Sequence, residues 1–190
     1  MSLPHILLGM LREPHSGYDL KQAFSSSLQH FWHAELSQIY PTLKRLENDG
    51  LVTSRIGETR AGPQRREYRR TERGRRQLLE WLRSGPVTGT ERTGYLAQVF
   101  FFAELDDDDQ VLKYLGELRD HMAEWLAVLE SADAMWRDAH PQYPDGLPDE
   151  DFYPQMTLAL GVRKVRANLE WCEESIARVR KRRRKAARAG

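Results

Sequence analysis

Apolar positions recur at helical spacing in seven stretches of the chain, and between the third and fourth of these one stretch alternates every second residue. Ile6, Leu7, Met10 and Leu11 follow the 3.6-residue period and predict a helix over 3–11, closed ahead of Pro14, whose preceding residue disfavours helical backbone. Ser16 is the expected N-cap of a second helix that buries Tyr18, Leu20, Phe24 and Leu28, with Phe31 and Trp32 closing the small core. A third helix is predicted over 38–48 with Ser37 as N-cap, because Ile39, Leu43 and Leu46 form one stripe at i, i+4, i+7. Its outward strip then carries Gln38, Pro41, Lys44 and Arg45, flanked by Tyr40 and Thr42. Pro41 is read as lying in the first turn, where a missing N–H costs little, and Gly50 as the left-handed residue that ends the helix.

The alternating stretch 51–56, a Gly- and Pro-bearing tip over 57–64 and a return over 65–70 make a β-hairpin. Alternation puts Arg66, Tyr68 and Arg70 on one face and Arg65, Glu67 and Arg69 on the other. Tyr68 is expected to pack on a fourth helix that Thr71 caps and that faces Leu78, Leu79 and Leu82 inward. Arg66 is expected to reach a phosphate or a minor groove. Three helices, a two-stranded wing and a closing helix amount to a winged helix-turn-helix over 1–83.

Residues 84–94 carry Gly85, Pro86, Gly89 and Gly94 without apolar period and read as a linker. A short apolar helix over 95–103 follows. Two long amphipathic helices come next, one marked by Val111, Leu112, Leu115, Leu118, Met122, Trp125, Leu126 and Leu129, the other over 152–180. Two long helices and a short one hide little surface alone, so a second copy is expected to complete the bundle. The fold class expected is mainly α: an N-terminal winged helix-turn-helix with a two-stranded wing, plus a C-terminal antiparallel helical dimerisation domain over 95–180, ending in a disordered basic tail over 181–190.

Charge sharpens this division. The net charge of +1 conceals about +5 over 1–83, −12 over 84–160 and +8 over 161–190, so different stretches face different partners. Lysine and arginine beside polar side chains on one exposed helix face, followed by an arginine-rich ribbon, suit duplex DNA: the helix presents donors to base edges and guanidinium groups grip phosphate. Ser37, Gln38, Tyr40, Pro41, Thr42, Lys44, Arg45, Arg65 and Arg66 are the candidate DNA-contacting residues. Trp125, Trp171 and Phe101 are candidates for a dimer core or a site for a flat aromatic ligand.

No catalytic residue, cofactor or metal site is expected. The chain has no Gly-rich phosphate loop and no GxSxG elbow, its six histidines form no HExxH pair, and Asp106 to Asp109 read as the negative start of a long helix. Cys172 is the single cysteine and reads as a small apolar core residue. With no apolar run near 18 residues, a cytoplasmic protein with no membrane contact is expected.

Four motifs, in order, resemble the PadR type of transcriptional regulator: His5 to Leu11, Ser16-Gly17-Tyr18-Asp19-Leu20, Ile39 to Val52, and Tyr68-Arg69-Arg70-Thr71-Glu72-Arg73-Gly74. Residues 94–103 are similar to the start of the helical C-terminal region in the larger subfamily, shared with virulence-activator-like proteins. The resemblance implies a homodimeric repressor on a dyad-symmetric operator, with Tyr40 and its neighbours and the basic wing meeting DNA. It also implies that some members let go of DNA on binding a small aromatic compound. One departure is Arg70, where members often carry leucine. A winged-helix protein-interaction module without DNA binding, and a transcriptional activator, stay open on the sequence.

Overall fold

The computed structural model describes residues 2–56, 65–89 and 93–189, and the chain divides into two compact units, Met1–Gly89 and Thr90–Gly190. The tip expected over 57–64 lies outside the described residues. The first unit runs α1 (Leu3–Met10), β1 (His15–Ser16), α2 (Gly17–Ala23), a π-helical turn (Phe24–Leu28), α3 (Leu36–Asn48), β2 (Val52–Ile56), β3 (Arg66–Arg70) and α4 (Glu72–Arg83). Its core gathers Leu7, Leu8 and Leu11 of the α1 segment, Leu20 and Phe24, the stripe Ile39, Leu43 and Leu46, and Leu51, Val52 and Tyr68 from the sheet. Each such side chain contributes about 1.5–3 kcal/mol on leaving water.

Local chemistry explains the element starts. Ser16 caps α2 as expected, its Oγ accepting from the Asp19 N–H while the Asp19 carboxylate accepts from the Ser16 N–H at 2.9 Å. The Ser16 hydroxyl donating to the Asp19 carboxylate at 2.7 Å, then the Ser16 N–H, and after them Arg65 and His15 nearby, hold that carboxyl below its usual range. Gly50 adopts φ 68° and stops α3. Thr71 caps α4 by accepting from the Gly74 N–H at 3.1 Å, and its hydroxyl donates to the Gly50 carbonyl at 2.9 Å, tying the foot of the wing to the end of α3.

Several expectations are corrected. The sheet has three strands in the order β1-β3-β2, because His15 and Ser16 pair with Tyr68 and Glu67. Tyr18 and Phe31 are half exposed, at 53% and 51%, and Leu82 is 60% exposed, whereas Trp32 and Leu78 do pack on the core. The N-cap of α3 is Glu35 and not Ser37: the Gln38 side chain accepts from the Glu35 N–H at 3.1 Å. Starting two residues earlier than expected puts Pro41 in the second turn, where it removes the donor that would serve the Ser37 carbonyl.

His5 of α1 stacks on Trp81 of α4, ring centroids 4.9 Å apart and nearly parallel, and its Nδ1 is buried without a partner among the described residues. Burial first, and then the N-terminal charge, lower its pKa from 6.5. The folded state thus favours neutral imidazole, and the unfolded chain takes up the proton more readily. The stabilising contribution is complete above pH 6.5 and is lost as pH falls below it. Thermal melts at about pH 7.5 and about pH 5.5 should show lower stability at the acid end, and His5→Phe should shrink that difference. The remainder is expected to come from His30, whose pKa burial also lowers.

The second unit contains α5 (Gly94–Phe100), a 3-10 turn (Phe102–Leu105), α6 (Asp108–Ala139) and α7 (Asp149–Ala189). Asp107 caps α6, accepting from the Asp109 and Gln110 N–H groups at 2.8 and 3.2 Å. α6 and α7 run antiparallel: Glu130 pairs with Arg166 at 2.6 Å and Asp109 with Arg183 at the far end. Met122, Leu126 and Leu129 meet Leu158, Val165 and Cys172 between them. Burial pushes the Cys172 thiol pKa up, as a core cysteine requires. The tail expected to be disordered from residue 181 continues α7 as helix to Ala189.

Candidate nucleic-acid interface

The third helix of the first unit presents the strip foreseen for it, with two changes. Ser37, Gln38, Tyr40, Pro41, Lys44 and Arg45 are exposed. Thr42 is buried, and its hydroxyl donates back to the Gln38 carbonyl at 2.7 Å, so it offers a ligand nothing. Gln38 keeps its carboxamide N–H groups for a partner while its oxygen serves the helix start. Lys44 and Arg45 make no ion pair among the described residues, leaving their charge for an anion.

Tyr40 is set by a close approach. A Cβ on Gly17 would lie 2.5 Å from Tyr40 Cε1, so the ring rests on the α2 backbone and only glycine fits beneath it. Tyr40 remains 46% exposed. Beside it at the start of α2, the Arg65 guanidinium sits 5.8 Å from the Tyr18 ring centroid and 4.0 Å from the Asp19 carboxylate. Tyr18, which sequence reasoning placed in the core, thereby joins the exposed surface; a tyrosine beside Gly17 at a helix start was the available signal.

Arg66 does not stand free. Its Nη2 donates to both Glu47 oxygens at 2.9 Å, its Nε donates to Ser54 Oγ at 2.7 Å, and its guanidinium lies 5.6 Å from the Tyr68 ring centroid. Strand alternation, which puts Arg66 with buried Tyr68, turns it toward α3. Tyr68 itself was expected against α4; it is buried in the core that Leu78 of α4 also packs against, with the Arg66 guanidinium over its ring, and burial raises its pKa. Arg70, on the same face, donates to the Leu8 carbonyl in the last turn of α1 at 3.1 Å, and its own N–H bonds the Leu11 carbonyl. The departure from leucine is therefore a capping contact that ties wing to α1. On the opposite face Arg55 pairs with Glu67 at 3.3 Å, while Arg69 is exposed.

In the second unit Trp125 and Trp171 border one core of the chain, and Phe101 stands outside it. Trp171 packs with Tyr95, centroids 6.3 Å apart, and Trp125 is half-buried in the same core. Phe101 is 63% exposed against Phe100, and it is Phe102 that enters the core with Tyr114. A cleft of about 710 Å³ opens between Phe102 and Val99 on one side and Val111, Leu115, Arg178 and Arg182 on the other. Among the described residues no cluster of His, Cys, Asp and Glu could hold a metal ion, and no helix is long and apolar enough to cross a membrane.

Comparison with known proteins agrees with this architecture along nearly the whole chain. Residues 6–80 match the transcriptional regulator PadR-like family, and residues 91–180 match the virulence activator alpha C-terminal family. The negative transcriptional regulator PadR of Bacillus subtilis is 26% identical over 94% of this chain and 98% of its own length. The crystal structure of that protein in complex with operator DNA superposes with a TM-score of 0.76 at 25% identity, covering 94% of this chain and 99% of that one. The virulence activator AphA of Vibrio cholerae superposes with a TM-score of 0.71 at 25% identity, covering 95% and 99%. With its DNA-binding fold and its helical half both matched in order, the chain belongs to the PadR-like family of transcriptional regulators.

Proposed function

We propose that this protein is a homodimeric repressor that binds a dyad-symmetric operator through α3 and the wing. The observation that carries the reading is the outward strip of α3, where Tyr40, Lys44 and Arg45 stand exposed over a stripe of fully buried Ile39 and Leu43. Side chains there have the reach for base edges and phosphates in a major groove. Support comes from the Bacillus subtilis relative, a negative regulator whose structure contains operator DNA. The same relative has been solved in complex with p-coumaric acid. A small aromatic effector is accordingly part of the proposal, and the cleft beside Phe102 falls in the size range of small-molecule sites.

Dimerisation follows from what the second unit leaves uncovered. Phe100 and Phe101 are 81% and 63% exposed, and α7 exposes Tyr153, Met156 and Leu160 at i, i+3, i+7. Such stripes are what a partner helix covers.

Genomic fragments enriched by the protein supply the duplex for the test. Binding of the wild type should fall steeply with salt, and Lys44→Ala should weaken it while lowering the slope of log K against log salt by about one. Enrichment of no fragment, with salt-independent binding, would favour a protein-interaction module instead.

A further inference from the structure

We propose that Glu47 is a positioning residue for DNA binding, holding the wing against α3 through Arg66. The inference rests on the reading that α3 and the wing meet a duplex. Glu47 lies on α3 one turn beyond Lys44, so its carboxylate adds negative charge next to the surface offered to a polyanion. By Coulomb's law alone that charge weakens DNA binding.

Its contacts explain its presence. Glu47 Oε1 accepts from Ser54 Oγ at 2.5 Å and from Arg66 Nη2 at 2.9 Å, and Oε2 accepts from the same Nη2 at 2.9 Å. Arg66 Nε in turn donates to Ser54 Oγ at 2.7 Å, so one hydroxyl accepts from the guanidinium and donates to the carboxylate. A single residue of α3 is thereby bonded to both strands of the wing. The carboxylate side chain is only 27% exposed, and the hydrogen bond from Ser54, then Arg66, keeps its pKa below the ordinary value.

The place of this network in the sheet gives it a task. β1 supports β3 only at Glu67 and Tyr68. Beyond them toward the tip, at the Ile56–Arg66 pair, the wing is a bare two-stranded ribbon, an arrangement marginal by itself in water. The Glu47 contacts fasten the ribbon at the point where the third strand stops. Arg66 therefore spends its fork on α3, and the wing's remaining cations are presented at a fixed angle to Lys44 and Arg45.

The opposed signs make a sharp test. Glu47→Gln keeps the shape and removes a negative charge, so a free Arg66 that contacts phosphate would leave binding equal or tighter. The positioning role predicts about tenfold weaker operator binding for Glu47→Gln, a similar loss for Arg66→Lys, and no further loss in the double variant. Amide exchange in the DNA-free protein gives a second readout: residues 52–56 and 66–70 should exchange faster in Glu47→Gln, with α1 and α4 unchanged. Equal or tighter binding by Glu47→Gln, or unaltered exchange in the two strands, would overturn the proposal. Failure of the wild type to bind any duplex would refute the DNA reading, while the exchange experiment would still decide whether Glu47 fastens the wing.

Discussion

Gly74→Ala is expected to destabilise the first unit by about 3 kcal/mol, the upper range for forcing an extra methyl into a packed site. The Cβ would run into the carbonyl oxygen of Leu51 and stand 3.0 Å from Leu8 Cδ2. Backbone cannot yield there, since the Leu51 carbonyl already accepts from the Thr71 N–H at 2.9 Å. Helix propensity alone would favour alanine by about 1 kcal/mol, so the sign of the result separates close packing from intrinsic preference. Thermal melting of the full chain should show a drop of more than about 10 °C in the transition of the first unit. An unchanged or raised midpoint would mean that α4 can move off the wing.

Leu160→Glu is expected to dissociate the dimer and with it abolish operator binding at concentrations where the wild type saturates. Leu160 is 57% exposed on the stripe with Tyr153 and Met156, so the change costs the isolated chain little. In a two-fold dimer each substitution occurs twice, and two carboxylates enter an apolar seam without partners. A loss of at least about 2.7 kcal/mol, a hundredfold in dimer affinity, is the expected scale. Sedimentation equilibrium reads the dimer, circular dichroism the helical content, and anisotropy the DNA. A variant that remains dimeric would place the seam elsewhere, with the exposed pair Phe100 and Phe101 as the next surface to change.

Much of the first unit was legible because burial imposes a period. The stripe Ile39, Leu43, Leu46, the stop at Gly50 and the caps at Ser16 and Thr71 are all local signals, and each is found in the structure. What stayed hidden depends on distant chain. β1 is two residues long and has no alternation to read. Glu35 displaces Ser37 as cap because Lys21 and His33, each 2.7 Å away, hold its carboxylate at the start of α3. Thr42 flanks the outward strip in sequence, yet buried Ile39 one turn before it and Leu46 one turn after it set it on the inner side.

Arg66 teaches a different lesson. Its face was readable from Tyr68, but charge suggested phosphate, and only the position of Glu47 across the wing reveals an internal partner. In the second unit the apolar period reveals the long helices, whereas the run of charge at the basic end carries no apolar period and hides its helix. Its helix is favoured by cations near a C-terminus and by the Asp109–Arg183 pair. Phe101 stands outside the core of its own chain because α5 ends at Phe100 and a 3-10 turn follows, with Phe102 turned inward.

The central claim is that a dimer places two α3 helices on one operator. Its most direct test is the stoichiometry and salt dependence of the complex with a genomically enriched duplex, measured by sedimentation velocity and anisotropy. Two chains per duplex are expected, with log K falling linearly as log salt rises and a slope reflecting several phosphate contacts. One chain per duplex, or an affinity indifferent to salt, would contradict it.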